Sequence, residues 1–309
     1  MKTKLIEFLG GEKQKLRGIL TLPDGEIKMG VICLHGFERC SATEKKFKKL
    51  ADAFAENMIA TFRFDFSGCG LSDGDFKFTT IERQGLEFLH AINVFWEEIG
   101  NKKISIVAHS LGACVLATQI KELKNKIEKI ILVAPALNQK DLLRYWFAIS
   151  QMKKFNPTLE VTWKNYKDYF NEKDFIKDCE KEGKTTKANY INPEYFLTGK
   201  EINFSNNFDD ESLQILHIHG DTDAAVPIDS LSVKFKNQIL VEGGDHDLEK
   251  PKQLEQWLQK SVDFVSSENQ NDETMDQEVS VLTKNKRSLL NYFSGHDCVI
   301  IIAKRNILR

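Results

Sequence analysis

The stretch Lys103-Ile104-Ser105-Ile106-Val107-Ala108-His109 runs straight into Ser110-Leu111-Gly112-Ala113. The first part is a β-branched run of strand type, and the residues from Leu111 to Leu123 carry helical spacing. Ser110 therefore stands at a strand-to-helix junction, with the small residues Ala108 and Gly112 two positions before and after it. Such a turn needs small neighbours because strand and helix backbones approach closely there. It lifts the serine Oγ above the carboxyl end of the strand and aims the helix N-terminus at the same point, where a developing oxyanion would be stabilised. Ala108 supplies smallness and is compatible with a tight turn, but it carries a Cβ that could crowd it.

Working outward, the same strand and helix rhythm repeats. Val31 to His35 and Ile59 to Asp65 are strand patterns on either side of a helical stripe at Phe47, Leu50, Ala51, Phe54 and Ala55. A second stripe runs from Ile81 to Ile99, and strands follow at Ile130 to Ala134, Leu213 to His219 and Asn237 to Val241. A helix over Leu248 to Val265 closes the series. At the start, Lys4 to Leu9 and Leu16 to Leu22 predict an antiparallel hairpin at one edge. Alternation of this kind predicts an α/β fold: a mostly parallel central sheet with helices on both faces. The rhythm breaks between Pro135 and about Asp210 into a charged stretch rich in aromatic residues, read as an inserted helical cap. The expected organisation is a core of residues 1–136 and 211–266, a cap of 137–210, and a linker with C-terminal extension of 267–309.

Composition narrows the function. The 309 residues are 41% hydrophobic and 28% charged, enough for a full core. Lys plus Arg is 43 against 45 for Asp plus Glu, which argues against a generic electrostatic grip on nucleic acid or anionic lipid. A small-molecule partner is expected. Apolar runs such as Ile130 to Ala136 fall far short of the roughly 20 residues that span a bilayer, and the start of the chain has no secretory pattern. The expectation is a cytoplasmic protein with no membrane span. Six cysteines without a CxxC pair suggest neither a zinc site nor a disulfide framework. No metal and no cofactor are expected.

A serine is a poor nucleophile until a base takes its proton and a carboxylate orients that base. Two loops offer these groups. The strand ending at His219 continues as Gly220-Asp221-Thr222-Asp223-Ala224-Ala225-Val226-Pro227, which puts two carboxylates beyond a strand's carboxyl end, where sites in open α/β sheets gather. The last strand continues as Glu242-Gly243-Gly244-Asp245-His246. Together with His35-Gly36-Phe37, Arg63 to Gly74 and Ala108 to Ala113, these strings resemble the α/β-hydrolase superfamily over about residues 15–265. The closest likeness is to its small feruloyl and cinnamoyl esterases, with monoacylglycerol lipases as cousins. The order nucleophile, acid, histidine along the chain is that of the superfamily.

The resemblance implies the α/β-hydrolase fold, and Ser110 as nucleophile, His246 as general base and then acid, and Asp223 rather than Asp221 as the acid. It also implies an oxyanion hole made by the backbone N–H groups of Phe37 and Leu111. Asp65 and Ser67 would then shape the floor of the site without taking part in the chemistry. The implied reaction is hydrolysis of a carboxylic ester of small to medium acyl size through an acyl-enzyme. A thioesterase, a peptidase or an acyltransferase would use the same triad, and a non-catalytic binding module is the rival of another class.

Blander readings stand beside these. Ser110 as a plain helix N-cap would bond its hydroxyl to the first turn of the helix. His35 is expected to order the Phe37 loop, His109 to pack at the elbow, and His217 and His219 to be satisfied strand histidines. Asp247, directly after His246, is expected to raise the basicity of the imidazole as a second carboxylate. The aromatic residues Tyr145 to Phe147 and Trp163 to Phe170 either pack cap on core or face Ser110. The acidic segment from Ser266 to Glu278 reads as a solvated linker. The basic tail beyond it, with the apolar run Cys298 to Ala303, reads either as an extension unconnected with catalysis or as a segment docking on the body or on a second copy in a homodimer.

Overall fold

Period-two alternation divides each central strand between two cores. In the computed structural model, which describes residues 1–11 and 13–267, strand β3 (Met29–Leu34) turns Val31 and Cys33 to one face and Ile32 and Leu34 to the other. The strands β1 (Lys2–Leu9) and β2 (Lys15–Leu22) precede it. Helix α1 (Lys45–Glu56) sets Phe47, Leu50 and Phe54 against the Val31 face, and β4 (Ile59–Asp65) follows. Helix α2 (Ile81–Glu98) sets Phe88, Ile92 and Phe95 against the opposite face. It starts at Thr80, whose side chain accepts from the N–H of Arg83, an N-cap bond.

Strand β5 (Ile104–His109) is buried throughout and feeds α3 (Leu111–Leu123), which joins α2 on its face. Next is β6 (Ile127–Val133), whose Ile130 and Leu132 face one core and whose Ile131 and Val133 face the other. The chain then leaves the sheet. Helices α4 (Gln139–Phe155) and α5 (Glu172–Cys179), the short pair β7 (Lys184–Thr185) and β8 (Tyr190–Ile191), and helix α6 (Pro193–Gly199) lie between β6 and the next strand of the sheet, in the stretch read from sequence as a cap. The sheet resumes with β9 (Ile215–Gly220) and β10 (Asn237–Val241), and α7 (Pro251–Ser266) packs Trp257 and Val262 beside α1.

The eight-stranded sheet has the order β1-β2-β4-β3-β5-β6-β9-β10. The pairs β1·β2 and β2·β4 are antiparallel, and every pair from β4·β3 to β9·β10 is parallel. Parallel strands end on one edge, so the loops after β3, β5, β9 and β10 meet there. Met1–Val265 is the unit that carries this edge. Among the described residues no helix is long and apolar enough to cross a membrane. The acidic segment beyond Ser267, the tail bases and the run Cys298 to Ala303 lie outside the described residues.

Two boundaries differ from the sequence expectation. Strand β6 starts at Ile127, earlier than its apolar run, because Lys129 is accommodated inside: it is almost fully buried and its Nζ donates to the carbonyl of Phe264. Helix α7 starts at Pro251 instead of Leu248. Leu248 has a left-handed backbone, φ 54°, and proline suits the first helical turn.

Burial also fixes the charge of several histidines. It depresses His35 from an ordinary value of 6.5 to about 4 and His217 to about 3, and it lowers His109 and His219 in the same direction. An unfolded chain protonates these rings below about pH 6.5 while the folded one does not, so their contribution to stability is complete above 6.5 and is lost as pH falls toward 4. Asp65 acts oppositely. Burial raises it from 3.8 to about 6, and its proton uptake in the native state offsets one histidine. The melting temperature is therefore expected to fall by about 5 °C or more between pH 7 and pH 5. Calorimetry showing an unchanged or higher value at pH 5 would contradict this.

Candidate active site

Ser110 occupies the N-cap position of α3 but does not cap it: its side chain makes no hydrogen bond to the helix, and its backbone sits at φ 53°, ψ −117°. A non-glycine residue in that region carries strain of about 1–3 kcal/mol that its surroundings must hold in place. Its N–H donates to the carbonyl of Val133, and its carbonyl accepts from the N–H groups of Ala113 and Ala136. The hydroxyl is thereby left for another partner. That partner is His246, whose Nε2 lies 2.9 Å from Ser110 Oγ.

The imidazole is held from behind. His246 Nδ1 lies 2.8 Å from Asp223 Oδ2. A carboxylate oxygen accepts, so Nδ1 carries the proton and Nε2 offers its lone pair to the serine hydroxyl. The other oxygen, Asp223 Oδ1, accepts from the N–H groups of Ala225 at 2.9 Å and Val226 at 2.8 Å. Asp221 points elsewhere: its Oδ1 accepts from the N–H of Gly244 at 3.1 Å. It ties the loop after β9 to the loop after β10.

Those two loops cross backbone against backbone. A Cβ on Gly220 would stand 2.2 Å from the carbonyl oxygen of Gly244. Thr222 adds bonds from its N–H at 3.0 Å and its Oγ1 at 2.8 Å to that same carbonyl. On the other side, His109 donates from Nε2 to the carbonyl of His246 at 3.0 Å. The histidine loop is thus fastened to the loop after β9 and to the end of β5.

The loop after β3 closes the site. His35 donates from Nδ1 to the Gly36 carbonyl and accepts at Nε2 from the N–H of Phe66. A Cβ on Gly36 would meet Ser110 Cβ at 3.0 Å, so this backbone lies directly beside the serine. Among the described residues no protein acceptor takes the N–H of Phe37 or of Leu111. Ala108 is fully buried in the α2 and α3 face, and a close backbone approach falls on Gly112, where a Cβ would stand 2.6 Å from the Leu34 carbonyl.

The carboxylate of Asp247 is bonded to the guanidinium of Arg39, a cation from the loop after β3. Asp65 accepts from the N–H groups of Ala42 and Leu71, and Ser67 donates to Glu87. Both brace the loop after β4 away from the serine.

A cavity of about 360 Å³ opens on Ser110 and His246. Phe37, Leu143, Trp146, Tyr195 and Phe196 form its apolar wall. The polar atoms of its two hydrogen-bonding aromatics are already engaged: Trp146 Nε1 donates to the carbonyl of Ala225, itself on the lining, at 2.7 Å, and Tyr195 OH to Gln139 at 3.4 Å. Of the aromatic residues singled out by sequence, Trp146 faces the cavity. Tyr145, Trp163 and Tyr166 pack on one another, as do Phe147, Phe170 and Phe175. Tyr195 and Phe196 escaped the sequence reading, although Asn192-Pro193 marks the start of the short helix that presents them.

Residues 25–249 match the sequence model of a family described as serine aminopeptidase, S33. No curated protein sequence matches the chain. Among solved structures, Est1E from Butyrivibrio proteoclasticus with ferulic acid bound is similar at 20% identity and a TM-score of 0.64, over 89% of this chain and 99% of that one. The esterase PF2001 of Pyrococcus furiosus is similar at 20% identity and a TM-score of 0.59, over 85% and 90%. The mouse α/β hydrolase domain-containing protein 10 has 15% identity and a TM-score of 0.58, over 85% and 98%. At such identities the likeness speaks for the fold.

The loop crossing predicts that Gly220→Ala is destabilised by about 1–3 kcal/mol, since backbone must move to admit the methyl. A urea unfolding midpoint equal to that of the wild type would contradict the crossing.

Proposed function

Because the chain belongs to the serine aminopeptidase (S33) family of α/β hydrolases, we propose that it is a serine hydrolase acting on carboxylic esters of small to medium acyl length. The observation that carries this is the unbroken line Asp223 Oδ2, His246 Nδ1, His246 Nε2, Ser110 Oγ, with 2.8 Å and 2.9 Å separations. Ser110 Oγ attacks the acyl carbon while His246 Nε2 takes its proton. The negative charge that develops on the carbonyl oxygen is received by the N–H groups of Phe37 and Leu111. His246 then returns its proton to the leaving alcohol, and water repeats the sequence on the acyl-enzyme. Asp223 keeps the imidazole in the Nδ1–H tautomer and stabilises its charged form. No cofactor enters this scheme.

The pocket supports the choice of ester. Its volume lies at the lower end of the roughly 300–1,000 Å³ typical of small-molecule sites, and its wall is apolar, which favours an uncharged acyl chain or ring. Est1E, alike in fold, holds ferulic acid, whose acyl part is aromatic. An aminopeptidase must hold a cationic amino terminus. The cavity is lined by Arg39 and Lys187 and, among the described residues, by no carboxylate. The same chemistry on an amino-terminal amide is thereby disfavoured.

The test is hydrolysis of p-nitrophenyl esters against aminoacyl p-nitroanilides. Esters are expected to be cleaved with an optimum at short to medium acyl length, and the anilides not at all. Ser110→Ala should lower kcat by at least about 10⁴-fold, and Asp223→Asn by about 10⁴-fold through loss of the right tautomer. Asp221→Asn should cost no more than about tenfold, since it loosens one backbone bond. Preferred cleavage of the anilides, or a larger loss at Asp221 than at Asp223, would contradict the assignment.

A further inference from the structure

Behind Asp223 lie two buried histidines that the acyl-transfer scheme does not use. His219, the penultimate residue of β9, is fully buried, and its Nε2 lies 2.7 Å from the carbonyl oxygen of Val226 and 3.5 Å from Asp223 Oδ2. His217, two residues earlier on the same strand, places its Nε2 3.0 Å from His219 Nδ1. The protons of this chain follow from its end. A carbonyl oxygen only accepts, so His219 Nε2 bears a hydrogen; a neutral His219 then accepts at Nδ1, and His217 Nε2 must donate to it. Burial keeps both rings in the neutral form that this pattern requires.

The Val226 peptide is the link to the site. Its carbonyl takes the His219 hydrogen bond, while its N–H donates to Asp223 Oδ1 at 2.8 Å. His219 Nε2 also stands 3.5 Å from Oδ2, the oxygen that receives His246. We propose that His219, held at Nδ1 by His217, is a positioning residue that sets the orientation of Asp223 toward His246. This rests on the reading of Ser110, His246 and Asp223 as the acyl-transfer triad. His219 touches neither substrate nor serine. It acts through the peptide and the carboxylate that it steers.

The cap reaches the same turn from the other side. Tyr145 OH donates to the Ala224 carbonyl at 3.0 Å and Trp146 to that of Ala225. The three carbonyls of Ala224, Ala225 and Val226 are therefore each taken by an aromatic or imidazole donor. The sheet supplies the one nearest the carboxylate. His219 is thus the core's own hold on a loop that the cap also grips.

The experiment compares His219→Leu, which removes the donor, with His219→Gln, whose amide nitrogen replaces it. Kinetics on a p-nitrophenyl ester are read beside the low-field proton resonance of the hydrogen bond between His246 Nδ1 and Asp223. His219→Leu is expected to lower kcat about 10- to 100-fold with KM changed less than about twofold, because a small misplacement of the machinery costs this much. Its low-field resonance should broaden or vanish. His219→Gln should recover kcat to within about threefold of the wild type and keep the resonance. Should the leucine variant fail to fold, His217→Leu takes its place: His219 then loses the donor that holds its Nδ1, with a loss of about threefold in kcat and a broadened resonance. A folded His219→Leu with unchanged kcat and resonance overturns the proposal, and so does a glutamine variant as impaired as the leucine one. A wild type no faster than Ser110→Ala would instead overturn the triad reading, while the resonance would still report whether His219 steers Asp223.

Discussion

The structure turns on one residue held in a conformation that it would not choose. Ser110 sits at φ 53°, and three backbone hydrogen bonds to Val133, Ala113 and Ala136 keep it there. A serine at a helix start ordinarily caps the helix with its own oxygen. The forced backbone forbids this, and the hydroxyl is turned out of the helix and toward His246. The constraint explains the glycine two residues on, since the same tight turn brings α3 against the carbonyls of Leu34 and His35. It also explains why the sheet must be parallel here. Only then do the loops after β3, β9 and β10 end on the same edge as the serine.

Around that residue the protein fixes orientation mainly through backbone. Asp223 is oriented by two peptide N–H groups, His246 by a bond to its carbonyl from His109, and the two loops by a crossing of Gly220 on Gly244. Hydrogen bonds of this kind contribute modestly to stability, yet they leave few alternative arrangements when the groups are buried. The cap shares in the work. Tyr145 and Trp146 point their polar atoms at the loop that carries Asp223, and the Trp146 ring joins the apolar wall of the cavity.

Much of this was legible in the sequence, and the exceptions have physical causes. The alternation of Val31, Ile32, Cys33 and Leu34 announces a strand buried on both faces, and the elbow announces itself because strand, serine and helix are contiguous. Strand β6 was read short because a lysine inside a strand breaks the apolar pattern, and only the fold shows that Lys129 finds a carbonyl. Spacing alone does not separate Asp221 from Asp223; the difference lies in which way the turn aims each carboxylate, and family resemblance supplied the choice. The pairing of Asp247 with Arg39 is hidden for a related reason, because the two residues are distant in sequence. The cavity wall at Tyr195 and Phe196 depends on how a seven-residue helix docks, which no local pattern records.

The central claim is that Ser110 is an activated nucleophile beside an assembled oxyanion hole. It is tested most directly by exposing the folded protein to a fluorophosphonate and mapping the adduct by peptide mass spectrometry. The account predicts one stoichiometric adduct on Ser110, absent from Ser110→Ala. Labelling on another residue, or none on a folded and ester-exposed protein, would contradict it.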